Sequence, residues 1–159
     1  MTGVQTCALP IYMVGEKMSP EAARQVLAKV AARFALEPVS LMAVNGHEQH
    51  RPRYVAVFSQ SQQAEAYRQR DDLALAVDQE LRGHFHYELA RDLRQLEPAL
   101  AIVARDGWAT YQQVAIAGGM IEGNIKPEPV RRMARAAVMQ VLPGLDVNSV
   151  GNPQLEKVS

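Results

Sequence analysis

The sequence predicts an α/β fold, in which helices pack on a small mixed or antiparallel sheet of three or more strands. Segments with apolar residues at helical spacing alternate with short apolar runs that have β-branched centres, near residues 39–44, 54–58 and 99–104. With 48% hydrophobic residues, the chain also has enough apolar side chains to build a core. These observations predict one domain in which amphipathic helices cover the sheet.

The clearest helix start is at Ser19-Pro20, because serine is a preferred N-cap and proline is favoured at the first helical position. This helix is predicted to run to Phe34. Its buried stripe consists of Ala23, Val26, Leu27, Val30 and Phe34. The strands at 39–44 and 54–58 follow, and the polar loop between them predicts an antiparallel pair.

The middle of the chain predicts two helices and a buried strand. A long helix is expected from Ser61 to Leu81, and a second helix from Phe85 to Leu96, with Leu89, Leu93 and Leu96 on its apolar face. Pro98 ends the second helix, because the residue before a proline is pushed out of the helical region. The short apolar run at 99–104 then favours a buried strand.

The last third of the chain predicts a short helix from Gly107 to about Val114 and a further short strand around 114–116. A loop with three glycines and one lysine, Lys126, spans 118–127. A terminal helix is expected over 129–141. Residues 143–159 show little periodicity and are predicted to form a poorly ordered tail.

Residues 1–12 resemble the translation of a sequencing-library adapter, and we expect them to be an artefact. The only cysteine, Cys7, lies in this segment, so the rest of the chain is predicted to have no disulfide and no thiolate ligand. The expected domain therefore spans 13–142. The native reading frame is expected to begin upstream of Met13, which makes the chain a fragment.

Charge balance and hydropathy exclude several classes of protein. The 17 basic residues are matched by 17 acidic ones, which argues against nucleic acid or an acidic membrane surface as a partner. No apolar run approaches the roughly 20 residues that span a bilayer. We therefore expect a soluble domain, and we expect its location to be cytoplasmic.

Few residues suggest metal or nucleophile chemistry. His47 and His50 lie in a polar loop near Pro52, so no helix brings them together, and neither this pair nor the pair His84 and His86 has a nearby third ligand; we predict no metal site. Ser59 and Ser61 lack the glycine-flanked elbow of a nucleophile and are expected to serve as caps or turns. No Walker-type or dinucleotide-binding fingerprint is present.

The loop at 118–127 allows two interpretations. Glycines let a backbone approach a ligand closely, and Lys126 can offer a positive charge to a phosphate or carboxylate. The same composition is also typical of an ordinary surface turn.

Four segments in order resemble the C-terminal domain of the Gretchen Hagen auxin-responsive family, the acyl-acid amido synthetases among the adenylate-forming enzymes. Gly15-Glu16-Lys17-Met18 is similar to the family's Gly-Glu-Lys-aliphatic signature after its interdomain hinge. His84 to Leu96 is similar to its Asn-x-x-Tyr-x-x-x-Arg segment, through Tyr87 and Arg91. Asp106-Gly107-Trp108 and Gly123-Asn124-Ile125-Lys126-Pro127 are similar to its Gly-Thr-Phe turn and Gly-Gly-Gln-x-Lys loop. His84, Glu122 and Asn124 depart from the family pattern, which usually has asparagine, glycine and glutamine there.

The resemblance implies a two-step ligase that uses ATP and Mg²⁺, adenylating a small carboxylic acid and then transferring the acyl group to an amine or amino acid. It implies that Lys126 is catalytic, that Gly123 and Asn124 shape the nucleotide loop, and that Gly15, Glu16 and Lys17 lie at the hinge. Tyr87 and Arg91 are expected to be structural. The partner is the missing N-terminal large domain, and this fragment alone is expected to be inactive.

Two alternatives remain open. A free-standing α/β binding or regulatory module fits the composition and periodicity equally well, and a structural or interaction domain would expose an apolar patch. A free module is expected to begin with an ordered element of its own, whereas a severed domain begins at a hinge.

Overall fold

The structure is a computed structural model that describes residues 11–48, 50–60 and 67–145. The adapter-like residues 1–10 with Cys7, the serine Ser61 with the start of its predicted helix, and the tail from 146 onward lie outside this part. Within it are five helices and five strands. The helices are α1 (Pro20–Phe34), α2 (Asp71–Leu81), α3 (Phe85–Asp92), α4 (Gly107–Ala117) and α5 (Arg135–Val141). The strands are β1 (Glu37–Val44), β2 (Arg53–Ser59), β3 (Tyr67–Gln69), β4 (Leu100–Ala104) and β5 (Val130–Met133).

The strands form one mixed sheet in the order β3-β4-β2-β1-β5. At its centre, β1 and β2 pair in antiparallel fashion, as the sequence predicted, with Leu41 opposite Ala56. β5 lies parallel to β1, and β4 lies parallel to β2. The short strand β3 closes the other edge in antiparallel pairing with β4. The predicted α/β fold with a mixed sheet is confirmed.

Helices cover both faces of the sheet. Along β1, Leu41 and Ala43 belong to the apolar cluster that contains α1, α2 and α3, whereas Met42 and Val44 belong to the cluster that contains α4 and α5. Successive side chains of a strand point to opposite faces, so a strand covered on both sides must be apolar throughout. This explains why the central strands appear in the sequence as unbroken apolar runs.

The helix α1 forms as its sequence predicts. The Ser19 hydroxyl accepts a hydrogen bond of 3.0 Å from the backbone N–H of Ala22, and Pro20 occupies the first helical position. The helix ends at Ala35, whose left-handed φ of 56° turns the chain towards β1.

Two predicted helix boundaries are wrong because strand pairing decides them. Residues Tyr67–Gln69, expected within a long helix, form β3 along the free edge of β4, and the helix begins only at Asp71. Val130–Met133, expected within a terminal helix, pairs with β1 as β5. Val130 and Met133 are both buried, and a separation of three residues also fits one turn of a helix, so periodicity misled here.

The strand predicted around Val114–Ile116 is also wrong, since these residues lie within α4. Asp106 caps that helix by accepting a hydrogen bond of 3.1 Å from the N–H of Ala109. A short apolar run cannot be assigned to strand or helix by periodicity alone.

The helix α3 is shorter than predicted, and it buries a different face from the predicted one. It ends at Asp92 instead of Leu96, and its buried residues are Tyr87 and Ala90. Leu89 and Leu93, predicted to face the core, lie on an exposed apolar ridge with Phe85, which is 70% exposed. The contacts of Tyr87 and Arg91, described below, fix this orientation.

After α5 the chain continues to pack on the fold as far as it is described. The backbone N–H of Gly144 donates to the Tyr67 hydroxyl at 2.9 Å, and Leu145 is buried. Of the described helices, none combines the length and apolarity needed to cross a bilayer.

Candidate functional site

The lysine loop, residues 118–127, connects α4 to β5. Gly119 has a φ of +105°, which glycine adopts without strain, and the N–H of Met120 donates to the carbonyl of Ala115. A single 3₁₀ turn, Glu122–Asn124, contains Gly123 and Asn124. Both residues are exposed, and a Cβ on Gly123 would meet no atom within 4 Å. The conformation therefore does not demand a glycine at 123.

Lys126 lies at the end of this loop, between two fixed points. On one side, Ile125 is buried in the cluster of α4 and α5. On the other, the carbonyl of Glu128 accepts a hydrogen bond of 2.7 Å from the Ser40 hydroxyl, and the carbonyl of Pro129 accepts from the N–H of Leu41 at 2.8 Å. Lys126 is therefore flanked on both sides by residues that are fixed to the rest of the fold.

The Lys126 side chain is exposed and has no hydrogen bond or ion pair with any other described residue. The nearest basic neighbour in sequence, Arg131, is engaged by Glu128 at 3.4 Å. An ammonium group without a carboxylate partner is available to bind an anion from outside the chain.

The predicted hinge residues lie in what we call the entry segment, Ile11–Met18. Ile11 and Met18 exchange two backbone hydrogen bonds, of 2.8 and 2.9 Å. Gly15 has a φ of +122°, which favours glycine, and Lys17 is exposed. The expected boundary between residues 12 and 13 lies inside this hydrogen-bonded segment.

Glu16 anchors the entry segment in the core. Its carboxylate is fully buried and accepts hydrogen bonds from the N–H groups of Met13 at 3.0 Å and Val14 at 2.9 Å. It also accepts a hydrogen bond of 2.5 Å from the Tyr54 hydroxyl. Burial raises the pKa of Tyr54 far above its ordinary value, and the neighbouring Glu16 carboxylate raises it further, so the phenol stays protonated as a donor.

A second buried carboxylate, Asp78, receives Tyr87 and Arg91. The Tyr87 hydroxyl donates to Asp78 at 2.5 Å, and Arg91 donates to both carboxylate oxygens, at 2.9 and 3.0 Å. The N–H of Ala99 donates to the same carboxylate at 3.1 Å. Asp78 therefore joins α2 to α3 and to the start of β4, which gives Tyr87 and Arg91 structural contacts.

Burial opposes ionisation of Asp78, but the hydrogen bonds from Arg91 and Tyr87 outweigh it and hold the pKa of Asp78 below its ordinary value. Sequence reasoning singled out Tyr87 and Arg91 without identifying this partner. The available signal was an aspartate within the apolar stripe of α2, next to Val77 and on the same face as Ala74 and Leu81.

The structure thus places the predicted site residues in three separate groups. These are the lysine loop, the cluster around the Glu16 carboxylate and the cluster around the Asp78 carboxylate. The two carboxylate clusters approach each other through the rings of Tyr54 and Tyr87, whose centroids are 5.9 Å apart. β5, which follows the lysine loop, contacts the entry segment through Arg132, which donates to the backbone carbonyl of Tyr12.

Ser59 lies at a turn, as the sequence predicted. The Ser59 hydroxyl accepts a hydrogen bond of 2.9 Å from the N–H of Gly107, which is a turn contact. The described residues include no cluster of three or more His, Cys, Asp or Glu side chains that could hold a metal ion.

Two clefts open on the surface of the described residues. A cleft of about 760 Å³ lies beside the loop between β1 and β2, and one of about 300 Å³ lies near Tyr67 and Arg105. Neither is lined by Lys126, Gly123 or Asn124.

Comparison with protein-family models and with curated proteins finds no match for this chain.

Proposed function

We propose that residues 13–142 are the C-terminal small domain of an ATP-dependent acyl-acid amido synthetase, which adenylates a carboxylic acid and transfers the acyl group to an amine. In this proposal Lys126 is the catalytic residue that the small domain contributes. The observation that carries it is the exposed ammonium of Lys126, held on an anchored loop without a carboxylate partner in the described part of the chain. The parent enzyme is proposed to be cytoplasmic.

The role of Lys126 follows from its charge. In adenylation a carboxylate oxygen attacks the α-phosphorus and pyrophosphate leaves, so negative charge develops on the phosphate oxygens. An ammonium group placed nearby stabilises that charge in a water-poor site. Gly123 and Asn124 are exposed and lie in the 3₁₀ turn that precedes Lys126. In this proposal the turn shapes the loop that approaches the nucleotide. The adenine pocket, the Mg²⁺ ligands and the acyl pocket would come from the missing large domain, so the fragment alone is proposed to be inactive.

A large-domain partner would also cover apolar surface. Phe85, Leu89 and Leu93 form an exposed ridge on α3, and such ridges often mark interaction surfaces. No nucleic acid or membrane partner is part of the proposal.

The hinge in this proposal must accommodate the Glu16 anchor. A rotation that moves Glu16 away from the sheet would break the Tyr54–Glu16 hydrogen bond, because that bond ties Glu16 to β2. Domain rotation of this kind commonly separates successive steps in an enzyme.

The test begins with the complete gene, recovered by sequencing outward from this fragment. If it encodes a large domain, Lys126→Ala in the complete enzyme is expected to slow acyl-adenylate formation by roughly a hundredfold. Amide formation from a chemically prepared acyl-adenylate should be nearly unchanged. Lys29→Ala, which removes an exposed lysine on α1, is the matched control.

Two outcomes would reject the proposal. One is an unchanged adenylation rate in the Lys126→Ala enzyme. The other is a start codon just upstream of the fragment, which would make the chain a free-standing module.

A further inference from the structure

The loop between β1 and β2 brings two histidines together. The N–H of His47 donates to the carbonyl of His50 at 2.6 Å, and the N–H of His50 donates to the carbonyl of His47 at 3.1 Å. Two residues that exchange both backbone hydrogen bonds lie directly opposite each other, so their side chains leave on the same face with Cβ atoms about 5 Å apart. The imidazole centroids are 6.3 Å apart.

This pairing removes the first objection drawn from the sequence, that no helix brings the two histidines together. On a helix the two histidines would have shared a face through their separation of three residues, and Pro52 argues against a helix here. A hairpin brings the same two positions into register by a different route. The separation of three residues therefore brings the two histidines together in a hairpin, although the loop is not helical.

Both imidazoles are accessible and uncommitted. His47 is exposed, His50 is half-buried, and neither ring forms a hydrogen bond or ion pair with another described residue. Both line the cleft of about 760 Å³, together with Glu48, Arg51 and Glu97. Ring nitrogens that face solvent are free to act as ligands.

The charge of the cleft lining favours a cation. Arg51 and Glu97 form an ion pair of 3.1 Å, which neutralises both groups. Glu48 is exposed, and no basic side chain in the described residues pairs with it. The lining therefore carries one uncompensated carboxylate beside the two imidazoles.

We propose that His47 and His50 together bind a divalent transition metal of the zinc class. Imidazole nitrogens are preferred ligands of Zn²⁺, Ni²⁺ and Cu²⁺. Two imidazoles on one tetrahedral Zn²⁺, with Zn–N bonds of about 2.0–2.1 Å, place their centroids about 5 Å apart, which the two side chains reach by rotating. Water molecules complete the coordination.

The metal ion at this site would exchange with the solvent. A structural zinc site has four protein ligands, and no cluster of three or more metal-binding side chains occurs in the described ranges. The metal would therefore bind reversibly at the cleft and would not be required for folding. This inference is independent of the proposed ligase function.

The test is calorimetric titration of the whole 159-residue chain with zinc chloride near neutral pH, after treatment with a chelator. One ion is expected to bind per chain. His47→Ala and His50→Ala are each expected to raise the Kd by about tenfold or more, because each removes one of two imidazole ligands. His86→Ala, which removes an exposed histidine on α3, is the matched control and should leave the Kd unchanged.

Circular dichroism of each variant establishes that it is folded, which is expected because neither histidine of the pair is in the core. Absence of saturable zinc binding would overturn the proposal. Binding that persists unchanged in both His47→Ala and His50→Ala, or that is lost in His86→Ala, would overturn it equally.

Discussion

Tyr54, in β2, donates a hydrogen bond of 2.5 Å to the buried carboxylate of Glu16, 38 positions earlier in the chain. The same carboxylate holds the N–H groups of Met13 and Val14. One side-chain pair therefore attaches the entry segment to the centre of the sheet. A movement that carries Glu16 away from the sheet has to break this bond.

Tyr54→Phe is expected to lower the free energy of unfolding by about 1–3 kcal/mol, because it leaves a buried carboxylate without one of its donors. The amides of Met13 and Val14 should exchange with solvent faster than in the wild type. Chemical denaturation and hydrogen exchange measure the two effects.

Tyr67→Phe is the control for this prediction, since the Tyr67 hydroxyl accepts only an exposed hydrogen bond from Gly144. Its entry segment should exchange at the wild-type rate. Equal exchange of the Met13 and Val14 amides in Tyr54→Phe and in wild type would contradict the anchoring role of Glu16.

Asp78→Asn is expected to destabilise the protein by about 3 kcal/mol near neutral pH, because it disrupts a buried ion pair with Arg91. The pKa of Asp78 is lower in the folded protein than in the unfolded chain. The stabilisation is therefore fully present above the unfolded value of about 3.9 and is lost as the pH falls through the lower folded value. Urea denaturation of both proteins as a function of pH measures this.

Asp72→Asn provides the comparison, since Asp72 pairs with Arg70 but its side chain is 55% exposed. An exposed pair contributes at most about 1 kcal/mol. If the difference between wild type and Asp78→Asn stayed constant down to the acid limit of folding, the ionised Asp78 would not be the stabilising form.

Gly107→Ala is expected to destabilise the protein by about 1–3 kcal/mol through overpacking. A Cβ at this position would lie 2.7 Å from the Val39 side chain and 3.1 Å from the carbonyl oxygen of Phe58, which is backbone and cannot move aside easily. Thermal unfolding measures the loss.

Gly123→Ala is the matched substitution, because a Cβ there meets open space. It should leave the unfolding temperature within error of the wild type or raise it slightly, since alanine restricts the unfolded chain. Equal losses at Gly107 and Gly123 would show that steric contact with the sheet is not the cause.

Lys126→Ala is expected to leave the stability of this chain within about 0.5 kcal/mol of the wild type, because the side chain is exposed and has no partner among the described residues. Denaturant titration of the two proteins checks this. A loss well above that range would mean that Lys126 supports the fold, and a drop in activity of the complete enzyme could then not be assigned to its charge.

Much of the architecture could be predicted from local sequence patterns. The Ser19-Pro20 start of α1 and the apolar runs of β1, β2 and β4 predicted their elements, because capping and burial on both faces leave clear traces in the sequence. Edge strands leave weaker traces. Tyr67–Gln69 became β3 because β4 offers a free edge, which no local pattern reveals.

The candidate site was accessible only in part. Lys126 stood out through its glycine-rich loop, and its exposed, anchored position agrees with a ligand contact without testing one. The partner of Tyr87 and Arg91 was missed, since hydrogen bonds across 9 and 13 positions depend on how α3 packs against α2.

By itself, the sequence determined the α/β class, the central antiparallel pair and the position of the lysine loop, because helical and strand periodicity are local properties of the chain. Only the tertiary structure decided which face of α3 is buried, where β3 and β5 form, and that His47 lies opposite His50. These features depend on sheet edges, buried carboxylates and chain reversals, whose partners meet only when distant segments pack together.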